Sequence, residues 1–109
     1  MAYDEGLAER IREVVAEEPG VTEKKMFGGL AFLASGNMFC GILKDELMVR
    51  VGPDGHEAAL ARPHARIMDF TGRPMKGFLV VGTAGFERDE DLESWVRGCL
   101  DFVRTLPAK

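Results

Sequence analysis

The chain is poor in residues that carry chemistry or cross-links. Its only cysteines are Cys40 and Cys99, and its only histidines are His56 and His64. A metal centre needs several His, Cys or carboxylate ligands in convergent spacing. Two isolated thiols and two isolated imidazoles do not supply one, so no metal is expected. The G-x-G-x-x-G and Walker patterns are absent, and no cofactor is expected. The cysteines form no Cys-x-x-Cys pair, and two buried thiols in a reducing compartment are the simplest reading. No apolar run approaches the ~18 residues of a membrane helix, so no membrane partner is expected. The acidic start Met-Ala-Tyr-Asp-Glu has neither a basic segment nor an apolar one. A secretory leader is therefore not expected, and the cytoplasm is the expected compartment. Excess positive charge is also missing. The net charge is −4, which disfavours grip on nucleic acid through phosphates.

What is present suits one globular domain over residues 1–109. The chain is 46% hydrophobic and 29% charged, too apolar for disorder. Leu7, Ile11, Val14 and Val15 recur at helical spacing, which predicts a helix over 4–18 with Asp4 as N-cap and Pro19-Gly20 as its stop. Short apolar runs follow between turn residues. The first strand runs from Lys25 through Gly28-Gly29 to Ala34, the second is Met38–Lys44, and the third is Leu47–Val51. In the third, Leu47, Val49 and Val51 alternate with Met48 and Arg50, so the two sets face opposite sides. The first two are apolar on both faces, which implies helices on one side and further cover on the other.

A short helix is predicted over 54–61, ended by Arg62-Pro63. Strands over 65–70 and 75–81 come next, joined by Thr71-Gly72-Arg73-Pro74. The final helix begins at Asp89, Glu90 and Asp91, whose charges suit its dipole. Its apolar stripe is Leu92, Trp95, Val96, Cys99, Val103 and Leu106. The order α-β-β-β-α-β-β-α predicts an α+β two-layer domain with a mainly antiparallel sheet.

The candidate functional residues gather between Arg50 and Lys76. Arg50, Arg62, Arg66, Arg73 and Lys76 outweigh Asp54, Glu57 and Asp69 there, giving +2 and leaving −6 for the rest. The ordinary reading is a solvated sheet rim; the sharper one is a site for an anion or a partner. His64 lies between Arg62 and Arg66. Two neighbouring guanidiniums favour a neutral imidazole, as a general base requires, yet no nucleophile is placed beside it. A polar loop histidine bonded to backbone is the simpler reading. Asp69 and Arg73 flank a turn and could pair across it. Arg73 and Lys76 could instead receive a phosphate or carboxylate. Gly28-Gly29 lacks the spacing of a phosphate loop, and a bend between strands is expected. Met26, Met38, Met48, Met68 and Met75 fall in or beside strands. Core packing is their default role, and an adaptable partner groove is the alternative. No catalytic set is complete. An enzyme using His64 with Asp69 is the least supported option.

Several segments together resemble the TfoX/Sxy N-terminal domain family. They are Met26-Phe-Gly-Gly-Leu-Ala-Phe, Asn37-Met-Phe-Cys-Gly, Val49-Arg-Val-Gly52, Arg62-Pro-His-Ala-Arg66 and Met68-Asp-Phe-Thr-Gly-Arg-Pro-Met-Lys-Gly77, with Trp95 and Leu106-Pro107 near the end. The resemblance implies a secretion-chaperone-like α+β fold, and a bacterial regulatory role through protein contacts with the transcription machinery. The family brings no established catalytic residues. Its regulators usually carry a second, C-terminal domain, whereas this chain is expected to stand alone. Gly28, Gly29, Arg50, His64, Arg66, Asp69, Arg73 and Lys76 are its patterned positions here. A non-enzymatic protein-interaction module is the leading expectation, and binding of a phosphate-bearing ligand or nucleic acid through the basic segment is the alternative. A homodimer is also expected, because an open sheet with apolar strands wants cover.

Overall fold

The computed structural model describes residues 3–26, 28–69 and 74–107, with the backbone alone for Met26, Asp69 and residues 74–76. Helix α1 spans Glu5–Val14, and Asp4 caps it by accepting the Leu7 N–H at 3.1 Å. Leu7, Ala8 and Ile11 bury its apolar stripe. It stops four residues short of the predicted end. The N–H groups of Ala16 and Glu18 bond to the carbonyls of Glu13 and Val15, a three-residue spacing that tightens and closes a helix.

Strands β1 (Val21–Met26), β2 (Gly29–Ala34), β3 (Asn37–Leu43) and β4 (Glu46–Arg50) then run antiparallel, each beside the last. The stretch read from sequence as one strand through Gly28-Gly29 is a hairpin of two, turning at Gly28 with φ of +74°. Gly29 is required for a different reason. A Cβ there would collide with the Ile42 carbonyl oxygen on the neighbouring strand.

Helix α2 (Gly52–Leu60) carries the chain past β4, two residues earlier than predicted. Its start needs glycine, because Gly52 has φ of +81° and its Cα faces the Phe102 ring. Strand β5 (Ala65–Asp69) forms the far edge, and β6 (Pro74–Val81) returns between β4 and β5. The sheet order is β1-β2-β3-β4-β6-β5. Helix α3 (Asp89–Val103) closes the fold after a short 3-10 turn at Thr83–Gly85. The expected succession of helix, strand block, helix, strand pair and helix is therefore the observed one, in an α+β two-layer fold.

Register decides which side chains meet. Leu47 pairs with Val81 and Val49 with Leu79, so these four project together beneath the helices. Leu30, Phe32, Ala34, Phe39, Cys40 and Ile42 join them, with Leu92, Trp95, Val96, Cys99 and Val103 from α3. Each fully buried Phe, Leu, Ile or Val contributes about 1.5–3 kcal/mol of apolar burial. The opposite face holds a smaller cluster of Met48, Met68 and Val80, with Met38, Leu43 and Phe78 packed against it. The apolar character of both faces thus corresponds to two separate clusters.

Gly29→Ala should destabilise the protein markedly, because the clash involves backbone and cannot be relieved by a rotamer. Gly98→Ala, at an exposed mid-α3 position with open space around it, should stabilise by about 0.5–1 kcal/mol. Urea unfolding of both variants checks the opposite signs.

Candidate functional site

The predicted basic residues come from three local environments. Arg50 ends β4, and its guanidinium lies 5.4 Å from the Phe78 ring centroid and 5.8 Å from that of Phe102. Its Nη1 also donates to the Met38 carbonyl at 3.4 Å. Arg62 follows α2 and stacks on Trp95 of α3, 3.6 Å from the ring centroid. Such a cation–π contact stabilises by about 0.5–2 kcal/mol. Arg66 belongs to β5 and donates two hydrogen bonds to the Glu46 carboxylate on β4, at 2.8 and 2.5 Å. Register sets Arg66 opposite Val80, on the side away from Leu79 and Val81. Arg62 points to the helix layer and Arg66 to the other face, so the sheet separates them.

His64 is exposed in the turn before β5, with φ of +68°. Its carbonyl accepts the Gly82 N–H at 2.9 Å. Asp69 closes the same strand, about 16 Å away along extended backbone. Lys76 lies within β6. Arg73 lies outside the described residues.

Two further contacts had no signal in the sequence. His56 of α2 is half-buried, and its Nδ1 accepts the Gly77 N–H at 2.9 Å. This ties α2 to β6 and leaves Nε2 as the nitrogen that carries hydrogen in the neutral ring. Asn37 is buried and donates to the Pro107 carbonyl at 2.9 Å, tying β3 to the segment beyond α3. Both pairs are far apart in sequence, so no local spacing announces them.

The titratable groups follow from these environments. The Arg66 hydrogen bond holds Glu46 below the usual carboxylate range, and Arg12 does the same for Glu23. Burial pushes the Cys99 thiol up to about 12 and raises Cys40 as well. Both cysteines are free and buried. A thiol so protonated is a poor nucleophile, so their role here is packing. No three His, Cys, Asp or Glu among the described residues converge to hold a metal ion. Open depressions of about 480 and 370 Å³ lie elsewhere, one beside Arg12, Val21 and Glu23, the other beside Arg10, Glu13 and Asp89.

The family model for the TfoX N-terminal domain matches residues 13–103, from the last turn of α1 to the end of α3. The chain belongs to the TfoX N-terminal domain family. Neither the curated proteins nor the solved structures give a match. The TfoX match spans the His56–Gly77 tie and the whole basic segment. No helix among its described residues is long and apolar enough to cross a membrane.

The Arg66–Glu46 pair gives a signed pH effect. Glu46 is more acidic folded than unfolded, so its contribution is full above the unfolded value near pH ~4.3. It is lost as pH falls through the lower folded value. Because Arg66 is 55% exposed, solvent screening limits the effect to about 1 kcal/mol or less. Stability measured from pH 6 to 2 should therefore fall less steeply in Glu46→Gln. Native Cys40 and Cys99 should resist an aromatic disulfide reagent at pH 8 and react at the rate of unfolding, which absorbance would follow.

Proposed function

We propose that this TfoX-type domain is a non-enzymatic module of bacterial gene regulation that works by binding a protein, the transcription machinery being the first candidate, in the cytoplasm. Membership of the TfoX family across residues 13–103 carries this reading. The use made of the basic side chains supports it further. Arg62 is committed to Trp95 and Arg66 to Glu46, so these two cations serve packing within the chain. The half-buried Met38, Leu43 and Phe78 on the helix-free face are suited to contact with a protein, since flexible thioethers adapt to irregular surfaces.

Immobilised protein titrated with purified bacterial RNA polymerase holoenzyme tests this reading. Saturable binding is expected, weakened at least tenfold in Met38→Lys with an unchanged far-UV circular dichroism spectrum. Absence of binding, or binding indifferent to that substitution, contradicts it. The alternative, a phosphate-bearing ligand or nucleic acid on the basic segment, requires affinity that falls steeply with salt. Fluorescence anisotropy with labelled DNA and RNA at two salt concentrations separates the two readings.

A further inference from the structure

Strand β5 is the outermost strand on one side of the sheet, with β6 as its paired neighbour among the described residues. An outer strand presents unpaired N–H and C=O groups, and natural sheets guard such edges with charge, lysine above all. The opposite edge follows that rule, since Thr22, Glu23, Lys24 and Lys25 of β1 are all exposed. On β5, the Arg66 guanidinium reaches back over β6 to Glu46, and its charge is withdrawn from the edge. Beside it stands Ile67, 44% exposed and the one large hydrophobic side chain exposed among the described residues.

The direction of the backbone groups is also fixed. Gly82 N–H donates to the His64 carbonyl, and Arg66 is registered with Val80. In an antiparallel ladder, alternate residues turn both backbone groups to the same neighbour. His64 and Arg66 therefore address β6, and Ala65 and Ile67 address the open side. The Ala65 N–H is taken by the Arg62 carbonyl. Ile67 thus offers both an outward donor and an outward acceptor.

We propose that β5 pairs with β5 of a second copy of this chain, antiparallel about a two-fold axis at Ile67. Each Ile67 then exchanges N–H···O bonds with its counterpart, the two side chains cover one another, and the two six-stranded sheets become continuous. Backbone geometry fixes the antiparallel sense, because a two-fold axis at Ile67 sets the outward donor and acceptor of one copy against the acceptor and donor of the other. A five-residue pairing is smaller than the ~1,200–2,000 Å² of a stable interface, so the dimer is weak and depends on concentration.

Sedimentation velocity over a hundredfold concentration range is the test. The wild type should shift from monomer to dimer. Ile67→Lys restores a guard charge, and Ile67→Pro removes the outward N–H without touching a bond to β6. Both should weaken association at least tenfold, Ile67→Lys with an unchanged melting curve. Lys24→Glu, on the other edge, should associate as the wild type does. A wild type that stays monomeric throughout, leaving the edge to an extended peptide or to none, overturns the proposal. So does a dimer that survives both Ile67 substitutions or is lost in Lys24→Glu.

Discussion

The packing of α3 across β3 and β4 is the contact on which the rest of this domain depends. Leu92, Trp95, Val96, Cys99 and Val103 come from one helical stripe, and Phe39, Cys40, Ile42, Leu47 and Val49 from two adjacent strands. The stripe works only because β4 and β6 are in the register that sets Leu47 and Val49 beneath it. A one-residue slip would turn those side chains to the opposite face. Helix α1 then needs only a short stripe, because α3 already covers the centre of the sheet. Arg10 fastens it by donating to the carbonyls of Phe86 and Glu87, just before α3 begins.

The same packing decides what the cationic residues do. Trp95 lies 3% exposed in the core, and Arg62 closes over its ring. Arg50 sits between rings from β6 and α3, and Arg66 spans two strands to a carboxylate. Guanidinium groups are well suited to such work, being planar, weakly hydrated and rich in donors. Among the described residues, the arginines of a basic segment that looks in the sequence like a patch are distributed by the fold to different partners, Arg62 on Trp95 and Arg66 on Glu46.

Much of this was legible in the sequence. The α3 stripe, the alternation in β4, the Asp4 cap and the burial of both cysteines follow from spacing and residue type alone. The family, too, could be read from segments of ordinary composition in a particular order. Strand β1 was less legible because Val-Thr-Glu-Lys-Lys-Met carries little apolar periodicity. It is an edge strand, one side of which meets α1 through the Arg12–Glu23 ion pair at 2.8 Å, and polar residues satisfy both sides. The fates of Arg62 and His56 were hidden for another reason. Each is settled by a partner many residues away, Trp95 and Gly77 respectively, and only the completed fold brings them together.

Native-state hydrogen exchange tests the central role of α3 most directly. If its packing on β3 and β4 holds the domain together, the slowest amides of α3, β3 and β4 should share one opening free energy, equal to that of global unfolding. Exchange of α3 through a distinctly smaller opening, with β3 and β4 still protected, would contradict the account.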